Sequence, residues 1–231
     1  MPREQEVDVK RWRARVRRVA SRLSTVYGDP RHGNVRNATD ELFYILLSNR
    51  TDPRRYPAVF SELRRAYRPW RLLLTASAAE LEALLRPLGL EKTRAPRLVR
   101  IARQLQQDFG AVSLNRLRRW PIESARSYLL TLPGVGEKTA RCVLMYSFDH
   151  DVSPVDTHQL RVLLRLGLLP QGTTANRAHQ LLDEWLPGGI ARRLHVNLVA
   201  HGRAICTPRN PQCETCCLRL MCARPKGALV V

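Results

Sequence analysis

The sequence predicts an all-α protein, and three observations support this prediction. Apolar residues recur every three or four positions through most of the chain, as on one face of an amphipathic helix. No segment shows the apolar–polar alternation of strands joined by hairpin turns. Glycine and proline concentrate in short stretches between the periodic segments, where they end helices. With 231 residues, 44% of them hydrophobic, the chain is long enough to bury one or two cores.

The periodicity predicts ten helices, and three of them have clear end signals. The first ends before Gly28, the fourth begins after a capping serine at position 77, and the fifth ends before Gly110. The predicted helices cover residues 7–27, 40–47, 57–67, 78–85, 91–109, 122–130, 138–147, 157–166, 176–185 and 190–204.

The formal net charge is +19 and the isoelectric point is about 11.0, so the surface should attract polyanions and repel cationic ligands. Arginine supplies 35 of the 39 basic residues. Its rigid donor fork suits phosphate, whereas a lysine can lose its proton when buried; a compositional bias of the genome would also explain part of this preference. No apolar run approaches the ~20 residues of a membrane span, and the start does not resemble a signal peptide. We therefore expect no membrane association and a cytoplasmic location.

Residues 132–140, LPGVGEKTA, join two predicted helices. Pro133 ends the first helix, and the two glycines permit positive φ and leave the neighbouring backbone N–H groups uncovered. The N–H groups of Gly134, Val135 and Gly136 would then point outward at the start of the next helix, which suits a DNA phosphate bound without reading of sequence. A tight helix–helix turn with no ligand is the alternative interpretation.

Two ionisable residues follow the hairpin turn. Lys138 begins the next helix, where the helix dipole disfavours a cation and so favours the neutral, nucleophilic amine. A surface lysine or a further phosphate contact is the alternative. Asp156, eighteen residues later, heads an apolar helix and is a predicted N-cap, with Gln159 completing the cap. The same carboxylate could also stabilise a developing sugar cation or move a proton.

Five cysteines lie within 17 residues near the C-terminus, a clustering that favours a metal over a disulfide framework. Four of them have the spacing C-x6-C-x2-C-x5-C, which suits an iron–sulfur cluster in one compact loop. Structural zinc is the alternative. Cys217 lies outside this spacing. The stretch from Arg203 to Lys226 contains five basic residues, which could contact a phosphate backbone. The four spaced cysteines are Cys206, Cys213, Cys216 and Cys222.

These motifs, together with the stretch 200–203, resemble the endonuclease III family of helix-hairpin-helix DNA glycosylases over residues 8–222. The resemblance implies that Lys138 is the nucleophile, that Asp156 is the essential carboxylate, and that the four spaced cysteines hold a [4Fe-4S] cluster. It also implies that Leu90 acts as a wedge in the DNA stack. The glutamine that normally fills the gap left by a flipped base is absent, because the matching segment is shorter by one residue. Either Asn49 or Arg50 would take its place.

The resemblance further implies two helical lobes with a DNA cleft between them. One lobe is a six-helix bundle at residues 36–150 with the hairpin at 132–136. The other combines residues 1–35 with 151–231 and carries the cluster loop, 206–222. Residues 111–120 add a basic extension before the hairpin.

The expected function is that of a bifunctional DNA glycosylase and abasic-site lyase of base excision repair. It would excise oxidised pyrimidines and cleave abasic sites by β-elimination through a lysine Schiff base, with damaged double-stranded DNA as its partner and a monomer as the active form. A mismatch or other-base glycosylase with weak lyase activity is one alternative, suggested by Asn49 and Arg50. A non-catalytic iron–sulfur DNA-binding protein is the other.

Overall fold

A computed structural model describes residues 8–223, and within that range every regular element is helical. The all-α prediction is confirmed. The α-helices are α1 (Val9–Tyr27), α2 (Ala38–Ser48), α3 (Tyr56–Tyr67), α4 (Ala78–Leu85), α5 (Glu91–Phe109), α6 (Ile122–Thr131), α7 (Glu137–Ser147), α8 (Thr157–Arg165), α9 (Ala175–Trp185) and α10 (Ala191–Ala204). In this range no helix combines the length and apolarity that crossing a bilayer requires. Val7, Arg224, Lys226 and the tail from Gly227 lie outside the described residues.

The chain folds into two compact units. One runs from Gly33 to His150 and contains α2 to α7. The other combines the chain up to His32 with the chain from Asp151 onward, and contains α1 and α8 to α10. The sequence predicts that the second domain begins at residue 36, whereas in the structure this unit begins at Gly33.

Helix α2 is the central helix of the Gly33–His150 unit, because ten of its eleven residues are buried. Asn37 caps it and accepts from the backbone N–H of the second and third helical residues, so the helix begins two residues before its predicted start. The buried Asp40 carboxylate accepts from Trp70 Nε1 at 2.7 Å and pairs with Arg64 at 3.1 Å. These two partners offset the free-energy cost of burying the Asp40 carboxylate.

The basic extension at 111–120 is anchored in the same unit. Leu114 and Leu117 are fully buried, and a short 3-10 helix, Asn115–Arg119, lies between α5 and α6 in the chain. The Leu114 N–H donates to Thr39 Oγ1 at 3.0 Å, and Arg118 donates to Ser147 O at 2.7 Å. Arg118 of this extension therefore caps the C-terminal end of α7.

Each unit has its own aromatic packing. In the discontinuous unit Trp12 meets Trp185 edge-on, with ring centroids 5.6 Å apart. In the Gly33–His150 unit Trp70 packs edge-on against Phe43 at 4.6 Å, and Trp120 contacts Tyr128 at 5.7 Å. Both units thus have cores with directional aromatic contacts.

Candidate active site

The hairpin is a tight turn between α6 and α7. The Val135 N–H donates to Leu132 O at 3.1 Å, and the Val135 side chain is buried. Gly134 has a φ of 74°, and both hairpin glycines are exposed. Of the three N–H groups predicted to meet a phosphate, that of Val135 closes the turn, so Gly134 and Gly136 are the better-placed donors.

Glu137 fastens the start of α7 to α6. Its carboxylate accepts from Arg126 Nε at 3.0 Å and Nη2 at 2.6 Å, and from Arg141 Nε at 3.2 Å. Burial alone would raise the pKa of Glu137, but the hydrogen bonds and charges of these two arginines lower it below its usual value. Glu137 is thus an anchor whose bidentate pair fixes the first turn of the helix.

Lys138 follows directly and is half-buried. Among residues 8–223 its ammonium group has no hydrogen-bond or ion-pair partner, in contrast to the neighbouring Glu137. It lies in the first turn of α7, where the helix N-terminus disfavours positive charge. Its side chain is therefore not committed to a structural ion pair within that range.

Arg97 is a hairpin contact that the sequence did not reveal. A Cβ at Gly134 would overlap the Arg97 guanidinium, so the arginine side chain lies directly on the turn. Its Nε is buried and has no hydrogen-bond partner in the described part of the chain. No local pattern signals this contact, because the two residues lie on different elements of the bundle.

The arginines of α5 do not form one exposed face. Arg94 is buried, Arg97 is half-buried, and Arg100 and Arg103 are exposed. The reason is geometric. Residues three positions apart on an α-helix fall about 60° short of a full turn, so successive arginines in the row point in different directions around the helix axis. Arg94 therefore belongs to the interior of the Gly33–His150 unit.

Two loops of the same unit carry the residues predicted to enter the DNA stack. Arg50 is exposed and has a φ of 55°, while Asn49 is half-buried and ends α2. Leu90 is 57% exposed with a φ of 58°. Of the two candidates left open by the sequence, Arg50 is the one that projects into solvent.

Asp156 caps α8, as predicted. Its Oδ1 accepts from the Gln159 N–H at 2.7 Å, and the Gln159 side chain is fully buried. That side chain donates to Ser153 Oγ at 2.7 Å and pairs with His195 Nδ1 at 2.6 Å, while the Val155 N–H donates to a buried histidine, His179, at 2.9 Å. The backbone that carries the half-buried carboxylate is thus fixed on both sides.

The stretch 200–203 contributes packing between helices. A Cβ at Gly202 would lie 2.9 Å from the His158 Cβ and 3.2 Å from Arg161 Nη2. Arg161 donates to Gly202 O at 2.7 Å and to Cys206 O at 2.9 Å. Glycine is therefore needed for α10 to approach α8, the helix that Asp156 caps.

The cysteine loop surrounds Arg165. Arg165 Nη1 donates to Cys206 Sγ at 3.2 Å, and the Cys222 thiol donates to Arg165 O at 3.2 Å. Cys216 Sγ accepts from the Leu218 N–H at 3.4 Å. These thiols are half-buried against the core of the discontinuous unit, whereas Cys213 is exposed.

Burial raises the pKa of the Cys216 thiol to about 11, and the nearby thiols of Cys217, Cys206 and Cys222 act in the same direction. The hydrogen bond from the Leu218 N–H lowers this pKa but does not offset the increase. Within residues 8–223 no group of three or more His, Cys, Asp or Glu side chains is arranged to hold a metal ion. The loop therefore brings the thiols of Cys206, Cys216 and Cys222 near one another, whereas Cys213 is exposed.

A basic groove of about 1480 Å³ lies between α1 and the cysteine loop. The arginines of α1 that line it follow a four-three-four spacing, the pattern of one helix face, so the sequence could have revealed it. Arg15 also donates to Met221 O at 2.9 Å and so ties the loop to the helix. The lining arginines are Arg11, Arg15, Arg18, Arg22 and Arg219.

Comparison with known proteins agrees with this architecture. Residues 43–188 match the model of the HhH-GPD superfamily base excision DNA repair protein. Endonuclease III of Thermotoga maritima is 32% identical over 181 residues, covering 78% of this chain and 80% of that protein. A putative DNA glycosylase of Arabidopsis thaliana is 32% identical over 168 residues, covering 73% of this chain but only 57% of the plant protein.

A solved endonuclease III, trapped as a covalent intermediate with DNA, superimposes with a TM-score of 0.81 at 25% identity, covering 91% of this chain and 95% of that one. The chain therefore belongs to the HhH-GPD superfamily of base excision DNA repair proteins and is a DNA glycosylase of the endonuclease III type. The named relatives in this family are enzymes. The alternative of a non-catalytic iron–sulfur DNA-binding protein therefore has no support.

Proposed function

We propose that this glycosylase is bifunctional, removing oxidised pyrimidines from duplex DNA and cleaving the resulting abasic site. The observation that carries the proposal is Lys138, a half-buried amine in the first turn of the second hairpin helix with no carboxylate partner among the described residues. That position suits a nucleophile, and the hairpin glycines suit a phosphate of the same DNA strand.

In the proposed reaction, Lys138 Nζ forms a bond to C1′ of the deoxyribose as the glycosidic C1′–N bond breaks. The base leaves with that electron pair and gains a proton. The sugar ring then opens to give a Schiff base between Nζ and C1′. Loss of a proton from C2′ expels the 3′ phosphate by β-elimination, and water releases the lysine. Asp156 would stabilise the positive charge on the sugar or move the proton.

The lyase step is tested by reducing the Schiff base with borohydride in a mixture of enzyme and abasic-site DNA. The wild type should form a covalent adduct, and Lys138→Gln should lose it. The matched control is Lys92→Gln, since Lys92 is exposed at the start of α5. Absence of an adduct with the wild type, or its persistence in Lys138→Gln, would overturn the assignment.

A [4Fe-4S] cluster is part of this proposal, with Cys206, Cys213, Cys216 and Cys222 as its ligands. The donor set fits, because all four are sulfur atoms in one loop and because Arg165 and a backbone N–H already donate to two of the sulfurs. When bound, such a cluster would supply folding free energy to the loop. This chain's contribution would be the thiolates and the hydrogen bonds that stabilise them.

A mismatch-directed glycosylase is the second candidate, and the exposed Arg50 favours it. A guanidinium in the gap left by a flipped base would donate to a guanine in the opposite strand. Duplexes with an oxidised pyrimidine opposite each base, and with thymine or uracil opposite guanine, separate the two candidates. Faster release from the mismatched duplexes would overturn the first substrate assignment.

A further inference from the structure

Arg94 uses its whole guanidinium inside the Gly33–His150 unit. Only 5% of the residue is exposed, although it is cationic. A guanidinium has five N–H donors, and all five are engaged here, so none remains for a DNA phosphate. The bonds run from Nε to Gly89 O at 2.9 Å, from Nη1 to Leu46 O at 2.9 Å and Leu47 O at 3.3 Å, and from Nη2 to Asn49 O at 2.9 Å and Thr51 Oγ1 at 2.8 Å.

Two of the acceptors belong to the last turn of α2. The Leu46 and Leu47 carbonyls are among the four that a helix end leaves without partners inside the helix. The last turn of α2 has no basic residue of its own. Arg94 therefore supplies both the donors and the positive charge that favour this helix end.

The remaining acceptors flank the two exposed loop residues. Asn49 and Thr51 lie on either side of Arg50, and Gly89 directly precedes Leu90. Arg50 and Leu90 both have left-handed backbone conformations, which are strained for non-glycine residues. Such conformations persist where the surroundings fix them, and Arg94 binds the backbone beside both.

We infer that Arg94 is a positioning residue that holds Arg50 and Leu90 in a common geometry for insertion into the DNA stack. The inference rests on the proposed function. Because one guanidinium supports both loops, losing it disorganises the gap-filling residue and the wedge together. Lysine would be a poor replacement, since its three donors cannot reach five acceptors spread over the end of α2 and the two loops.

The test compares Arg94→Met with Arg100→Met, a matched change at an exposed position on the same helix. Single-turnover release of an oxidised pyrimidine should fall roughly a hundredfold in Arg94→Met, because small misplacements of positioning groups have effects of that order. Cleavage of a preformed abasic site, which requires no base to be displaced, should change much less. Arg100→Met should change neither step appreciably.

A second readout follows base displacement directly. The fluorescence of 2-aminopurine beside a tetrahydrofuran abasic analogue should rise on binding of the wild type and of Arg100→Met, and rise far less with Arg94→Met. Adding Arg94→Met to an Arg50→Ala, Leu90→Ala double variant should cause no further loss of base release. Thermal melting identifies a variant that does not fold, and in that case Thr51→Val, which removes one acceptor, should shift both readouts in the same direction.

Equal loss of base release and abasic-site cleavage, an effect no larger than that of Arg100→Met, or a further loss in the double variant would each overturn the inference. Failure of the proposed function looks different, since the wild type itself would then release no oxidised base. The fluorescence assay requires no catalysis and would still test whether Arg94 positions the two loops.

Discussion

Gly202 sets how closely α10 approaches α8. Its hydrogen atom faces the Cβ and Cα of His158, and any side chain would displace the helix that Asp156 caps. The residue therefore supports the candidate carboxylate through backbone spacing and makes no direct contribution to the chemistry.

Gly202→Ala should lower the free energy of unfolding by about 1–3 kcal/mol, the usual cost of overpacking a filled site. Urea denaturation followed by circular dichroism measures the change. Gly188→Ala is the control, because a Cβ there would meet only Asp151 Oδ2, at an ordinary 3.8 Å. Equal stability of the two variants would show that α8 and α10 separate easily.

Local signals in the sequence predicted several helix ends because those signals act within one turn. Ser77 and Gly110 gave the bounds of α4 and α5 correctly. The five acceptors of Arg94 were not predictable in this way, since four of them lie more than 40 residues away in the chain. Periodicity shows which face is apolar, but it does not show which polar side chain turns inward.

For the cysteine loop, too, the sequence predicts where the residues lie but not how their side chains are arranged. The spacing of its thiols predicted that they would lie in one region, and the bonds around Arg165 agree with that. Its coordination geometry cannot be derived from spacing, because the ligand itself determines how four flexible side chains converge.

Cys213→Ser should lower the iron and acid-labile sulfide content of the purified protein and its visible absorbance, whereas Cys217→Ser should retain all three. The first change removes a proposed ligand, and the second removes the neighbouring thiol outside the C-x6-C-x2-C-x5-C pattern. Zinc without iron in protein purified under anaerobic conditions would contradict the cluster and favour a structural zinc site.

For the whole molecule, the net charge of +19 supports binding to the DNA backbone, but its distribution differs from that suggested by the sequence. Arg94 and Arg118 donate to backbone carbonyl groups of the Gly33–His150 unit, while Arg103 and Arg119 are exposed with no such bond among the described residues. Part of the arginine content therefore stabilises helix ends.

Affinity for undamaged duplex should fall steeply with salt, by roughly a thousandfold or more between 50 and 200 mM if six or more phosphates are contacted. Fluorescence anisotropy across a salt series measures the slope of log K against log salt. Arg119→Ala should reduce that slope by about one if Arg119 contacts a phosphate, and Arg94→Met should leave it unchanged. A flat salt response in the wild type would contradict backbone binding.

The separate tryptophan packing of the two units has a practical consequence for spectroscopy. Trp12 and Trp185 report on the discontinuous unit, while Trp70 and Trp120 report on the Gly33–His150 unit. Replacing one pair with phenylalanine leaves an emission signal from a single unit. Denaturation curves of the two paired variants then reveal whether the units melt as one cooperative system or in sequence, without any extrinsic dye.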